Sequence, residues 1–213
     1  MALFREPLNT LTHLLGLFFS ILGSALLLRL VPEWFSLEAI SAIVYSLGLI
    51  LLYGASSCYH AYQGNDQAIE RWRIVDHSMI YILIAGTYTP ICLLVLQSTL
   101  GHGLLLSIWI SSLIGIGLKI SSVRVPRWFY TGIYLVLGWA AVIVIVPLYH
   151  TLPFFAMALL FGGGLSYTFG AVIYGRKSPS LHIGIFYFHE IFHLFILLGS
   201  LLHFLLIYFY VFS

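Results

Sequence analysis

The placement of charge along this chain limits what it can fold into more than any motif does. Among 213 residues there are nine Lys and Arg and seven Asp and Glu. They leave five long uncharged stretches: Glu6 to Arg29, Glu38 to Asp66, Asp76 to Lys119, Arg127 to Arg176, and Glu190 to the end. A helix needs about 20 apolar residues to cross the hydrocarbon core of a bilayer. The first two stretches and the last each suffice for one crossing. The other two each suffice for two, with a turn near the middle at Gln97–Gly103 and at Pro147–Pro153. Seven crossings are therefore expected. Backbone hydrogen bonds must close inside each segment in lipid, so every crossing should be helical. The expected fold class is an all-α integral membrane protein, a seven-transmembrane-helix bundle forming one domain over residues 1–213.

Only 8% of the residues are charged and 61% are hydrophobic, whereas a soluble domain averages about 25% charged residues. A mean hydropathy of +1.04 leaves too little polar surface for a water-soluble fold. The spans are expected near Leu11–Leu30, Ala39–Tyr59, Asp76–Leu96, Gly103–Ile120, Trp128–Val146, Phe154–Tyr174 and Ile183–Tyr210. If the N-terminus is cytoplasmic, eight of the nine basic residues face the cytoplasm: Arg5, Arg71, Arg73, Lys119, Arg124, Arg127, Arg176 and Lys177. Only Arg29 falls outside. This bias predicts a cytoplasmic N-terminus and an external C-terminus. The first span lacks a small-residue cleavage site and reads as a retained helix. Cys58 and Cys92 fall within or at the edge of spans, which argues against a disulfide framework. No phosphate loop, nucleic-acid patch or nucleophile elbow is apparent, and Gly162-Gly163-Gly164 reads as close helix packing or a bend.

An ionisable side chain inside the bilayer costs roughly 2.5–3.5 kcal/mol, so such residues mark functional sites. Here they are His60, Asp76, His77, His189, Glu190 and His193, with His13 and His203 as outliers. The topology brings the end of the second span and the starts of the third and seventh to the cytoplasmic side at similar depth. His189 and His193, at i and i+4, share one helix face. With His60 they make three imidazoles and an open fourth position, the ligand set of a catalytic zinc ion. Asp76 is placed to act as general base on a water there, and Ser56, one turn before His60, to orient it. Each has a plainer reading. A membrane histidine can be a packing residue, Asp76 an N-cap of the third helix, and Ser56 a small residue at a helix contact. His189-Glu190-Ile191-Phe192-His193 also matches the H-E-x-x-H peptidase pattern, in which Glu190 is the base. Glu190 could equally pair with Arg71 or Arg73. His203 lies too far along its helix to join the same site.

Four strings together resemble one family. Glu6-Pro7-Leu8-Asn9-Thr10-Leu11-Thr12-His13 resembles its bacterial N-terminal signature, and Ser56-Ser57-Cys58-Tyr59-His60 its S-x-x-x-H motif. Asp76-His77-Ser78 with Ala85-Gly86-Thr87-Tyr88-Thr89-Pro90 resembles its third-helix motif. His189-Glu190-Ile191-Phe192-His193-Leu194-Phe195 resembles its H-x-x-x-H motif. In order along the whole chain they identify it as a member of the hemolysin III family, the bacterial branch of the progestin and adipoQ receptor family. The resemblance implies a seven-helix bundle in the bacterial inner (plasma) membrane with a cytoplasmic-side Zn2+. His60, His189 and His193 would be its ligands, and Asp76 and Ser56 would hold the water. The family's similarity to alkaline ceramidases implies hydrolysis of a lipid amide. Its eukaryotic receptors carry a long soluble N-terminal region, whereas only about ten residues precede the first span here, so hormone binding is not expected.

Three functions follow as expectations. The first is a zinc-dependent hydrolase of a lipid-like amide or ester, active in membrane homeostasis. The second is a pore-forming or cytolytic protein, or a regulator of membrane state, with structural zinc. The third is a proton-coupled transporter using Asp76 and the histidines as a relay.

Overall fold

In the computed structural model the described residues are 3–121, 125–176 and 181–212. Seven helices there are long and apolar enough to span a membrane: α1 Pro7–Leu28, α2 Leu37–Ala61, α3 Asp66–Val95, α4 Thr99–Ile120, α5 Arg127–Thr151, α6 Phe154–Arg176 and α7 Phe188–Tyr210. The seven-helix membrane bundle expected from the sequence is the fold observed. Arg124 and Lys177, two of the basic residues used to orient the chain, lie outside the described residues. Large apolar side chains such as Leu15, Phe18, Leu106, Val136 and Phe169 point outward. That surface suits lipid and would be a liability in water.

Helix starts follow local capping chemistry. Ser36, Asn65 and Ser98 accept hydrogen bonds from the backbone N–H of Ala39, Ala68 and Gly101, beginning α2, α3 and α4. Pro7 occupies the first turn of α1, where a missing N–H costs nothing. Two expectations are corrected here. The cap of α3 is Asn65, so Asp76 is an interior residue of that helix, not its N-cap. The polar segment 66–75 continues the helix beyond the apolar run that defined the expected span. The seventh helix begins at Phe188. The residues before it pair as a hairpin, His182 with Tyr187 and Ile183 with Phe186. Its two-residue turn opens on Gly184 at φ 58°, which glycine adopts without steric cost.

Two helices depart from regular α geometry. Pro90 lacks the N–H that would continue the α3 ladder, and the next turn, Ile91–Val95, widens to a π-helix. α5 tightens to 3₁₀ over Trp139–Val144. The backbone N–H of Ala141 there donates to the Tyr88 hydroxyl at 2.7 Å, and that hydroxyl donates to the carbonyls of Leu137 and Gly138. α3 thus satisfies the irregular backbone of α5 inside the bundle, as a solvent without hydrogen bonds requires.

α2 packs between α1 and α3, and α7 lies against α1 and α6. One core cluster joins Leu27, Tyr45, Leu49, Tyr53, Leu83 and Ile207, and another joins Tyr81, Tyr88, Cys92, Ile108, Leu148 and Leu206. α3 contributes to both. Gly48 and Gly86 let α2 and α3 approach closely: a Cβ on Gly86 would sit 3.2 Å from the Val44 carbonyl oxygen. Within the glycine triplet, Gly163 lies under His203, confirming close packing there. Cys58 and Cys92 are both free thiols, as expected.

Candidate metal centre

The site forms where the C-terminus of α2 meets the N-terminal halves of α1, α3 and α7. The backbone N–H of Glu6 donates to the carbonyl of His60 at 3.1 Å, tying the start of α1 to the end of α2. His60 comes from the last turn of α2, and His189 and His193 from the first two turns of α7. Their imidazole centroids form a near-equilateral triangle, with His60 5.0 Å from both His189 and His193, and His189 4.8 Å from His193. The rings meet edge to face, so nitrogen-bearing edges converge instead of stacking. One nitrogen from each of the three lies within 4.8 Å of the others, a geometry that could hold a metal ion. A tetrahedral ion about 2 Å from each nitrogen would bring them to about 3.3 Å, within reach of small side-chain rotations.

The donor set is oriented for a cation. Glu6 Oε2 lies 2.7 Å from His60 Nδ1. Burial opposes ionisation of Glu6, yet the hydrogen bond with His60 and the Arg5 guanidinium beside it bring its carboxyl down to about 2. A carboxylate only accepts, so His60 donates its Nδ1–H to Glu6 and Nε2 keeps a free lone pair. Thr12 Oγ1 lies 3.1 Å from His193 Nδ1 and already donates to backbone carbonyls of Leu8 and Asn9. It therefore accepts from Nδ1, which frees the Nε2 lone pair of His193 as well. Such partners raise ligand basicity and fix the ring. His13 stacks on His193 with ring centroids 3.6 Å apart and 19° between planes.

Asp76 and Ser56 are both buried. They face the same cavity as His189 and His193, a space of about 460 Å³. From there it runs along the bundle between α3, α5 and α6, past Leu83, Ile84, Leu135 and Leu148. Its lining is mostly apolar, with Thr87, Tyr167, Thr168 and His203 as polar residues away from the triangle. Neither Asp76 nor Ser56 belongs to the triangle of potential ligands. Glu190 sits in the first turn of α7, where its carboxylate accepts from the backbone N–H of Tyr187 at 3.0 Å. Arg73 pairs with Glu70 at 2.6 Å, not with Glu190. His77 faces Tyr174, with Nε2 3.3 Å from the phenol oxygen. His203 Nε2 lies 3.3 Å from the Leu160 carbonyl, remote from the triangle as expected.

Sequence reasoning overlooked Glu6, Thr12 and His13 as parts of this site. A signal was present. The buried face of α1 reads Asn9, Thr10, His13, Gly16, Ser20, Gly23, Ser24 and Leu27. This is a polar and small-residue stripe at helical spacing in an otherwise apolar span, and such a stripe marks a face turned to protein.

The sequence profile of the Haemolysin-III related family matches residues 1–204. The chain is similar to the Hemolysin-3 homolog of Bacillus subtilis (strain 168), 36% identical over 97% of this chain and 94% of the relative. It is likewise similar to Hemolysin-3 of Bacillus cereus, 36% identical over 97% of this chain and 92% of the relative. A more distant similarity, 27% over 98% of this chain and 85% of the relative, connects it to the Monocyte to macrophage differentiation factor of Homo sapiens. This multi-pass membrane protein, with its three-histidine centre, belongs to the haemolysin-III related family.

Proposed function

We propose that this protein is a zinc-dependent membrane hydrolase that cleaves an amide or ester bond in a lipid-like substrate, acting in membrane homeostasis. The observation that carries this reading is the convergence of His60, His189 and His193, two of which line a mostly apolar cavity together with Asp76 and Ser56. Three neutral imidazoles with room for a fourth partner suit zinc. Zinc held there supplies Lewis-acid polarisation of a carbonyl and makes water a nucleophile near neutral pH. Glu6 and Thr12 keep two of the ligands in the metal-binding tautomer. Asp76 takes a proton from the attacking water. As the carbonyl carbon gains that oxygen, its bond to nitrogen or oxygen breaks, and Asp76 returns the proton to the leaving amine or alcohol. The mostly apolar cavity holds the hydrocarbon chain and excludes bulk water.

A second reading is favoured by one observation, the name Hemolysin-3 carried by the Bacillus cereus relative. It makes the protein cytolytic, or a regulator of membrane state, with a structural metal. Two measurements separate the readings. The purified chain should contain about one zinc ion, and it should release fatty acid from vesicles containing an N-acyl sphingosine or a glycerol ester. Asp76→Asn should keep the zinc and lose the release. Zinc with no release from either vesicle, but with lysis that persists in Asp76→Asn, would favour the second reading.

A further inference from the structure

A second cavity of about 270 Å³ opens at the same end of the bundle, between α3, α4 and α5. Its walls include Arg73, His77, Lys119, Arg127, Tyr130 and Tyr174. Three cations thus face one space, against one carboxylate, Glu70, which is already paired with Arg73. Among the described residues, neither Lys119 nor Arg127 has an ion-pair partner within 4.0 Å. Each instead lies over a ring: Lys119 Nζ is 3.8 Å from the Tyr130 centroid, and the Arg127 guanidinium carbon is 4.4 Å from that of Tyr174. Aromatic faces hold a cation in place without neutralising it. Asp76 lines the larger cavity and not this one. Half-buried cations at a membrane boundary are costly unless an anion joins them.

The two cavities share walls: Arg73, His77, Arg127, Thr131 and Tyr174 line both. An anion filling the basic pocket would therefore sit beside a mostly apolar cavity. We propose that the basic pocket binds the anionic headgroup, phosphate or carboxylate, of an amphiphile whose chain lies in the apolar cavity. Lys119 and Arg127 make the charge-assisted contacts, and Tyr130 and Tyr174 hold those side chains in position. Binding stands on the two cavities alone. That this amphiphile is the substrate rests on the hydrolase reading, and it would make the substrate a charged lipid whose scissile carbonyl lies within reach of the histidine triangle.

The test uses the full chain in zwitterionic nanodiscs, with dodecyl phosphate, dodecanoate, dodecanol and inorganic phosphate as probes. Both anionic amphiphiles should bind at least about tenfold more tightly than dodecanol, the scale of one or two charge-assisted hydrogen bonds. Inorganic phosphate should bind far more weakly than dodecyl phosphate, because it gains nothing from the apolar cavity. The double variant Lys119→Gln, Arg127→Gln should lose the preference for anions and still bind dodecanol, which shows that it folds. The charge-keeping pair Lys119→Arg, Arg127→Lys should retain most of the preference. His189→Ala, expected to lose metal, should retain it too, so failure of the metal reading and failure of this one are distinguishable. Equal binding of dodecyl phosphate and dodecanol, or a preference that survives the double Gln variant, would overturn the proposal. Inorganic phosphate binding as tightly as dodecyl phosphate would overturn the union of the two cavities.

Discussion

The carboxylate of Glu6 reaches Nδ1 of His60 at 2.7 Å, so a residue just ahead of the first membrane helix orients an imidazole at the end of the second. The start of α1 is therefore part of the framework of the candidate metal centre. Its Thr12 does for His193 what Glu6 does for His60, from two turns further along the helix.

Glu6→Gln should weaken metal binding by about tenfold to a hundredfold, the usual effect of removing an outer carboxylate from a histidine ligand. The amide fills the same space, so the fold should persist. Competition against a calibrated chelator measures the change. An affinity equal to that of the parent chain would remove Glu6 from the centre.

His189→Ala should reduce bound metal from about one ion per chain to near none, because the remaining pair of imidazoles cannot complete the site. His203→Ala should retain the metal, since His203 meets Gly163 and the Leu160 carbonyl in a different part of α7. Glu190→Gln should also retain it, because that carboxylate caps α7. Elemental analysis of the three purified variants decides the matter. Metal loss in Glu190→Gln would revive the peptidase-type pattern as the working part of the motif.

Tyr88→Phe should destabilise the bundle by about 1–3 kcal/mol, the usual cost of an unsatisfied buried polar group. The phenol is the acceptor for the Ala141 N–H within the 3₁₀ segment of α5, and phenylalanine leaves that donor without its partner. Unfolding in mild detergent against added denaturing detergent reads the loss.

Gly86→Val should cost about 1–3 kcal/mol by overpacking. The Cβ would already stand 3.2 Å from the Val44 carbonyl, and that obstacle is backbone, which cannot swing aside. Gly117→Ala on α4 is the control: nothing lies within 4 Å of its Cβ position, so it should be neutral or slightly stabilising. The order of thermal stability, Gly117→Ala at or above the parent and Gly86→Val below it, is the measurable outcome.

Much was legible in one dimension. Seven crossings followed from where Arg29, Glu38, Asp66, Asp76, Lys119, Arg127 and Arg176 interrupt the apolar chain, because lipid penalises charge wherever it stands. The set His60, His189 and His193 was legible too, since ionisable residues are so rare in these spans that topology alone suggested they meet. Helix ends were read less well. The segment 66–75 carries four charged residues and so falls outside an apolar span, yet Asn65 caps it into α3, and the turn at Gly184 replaces the start assigned to the last helix with a hairpin.

What the sequence by itself determined is thus the number of helices, their nature and the residues too polar to sit idle among them. These are properties of each segment against a uniform solvent. Which faces meet was decided only by the tertiary structure. The Glu6–His60 contact spans 54 residues and the Thr12–His193 contact 181. The basic pocket draws Arg73, Lys119 and Arg127 from three helices. Such encounters depend on helix rotation and on close approach at Gly48 and Gly86, which packing fixes and local sequence does not encode.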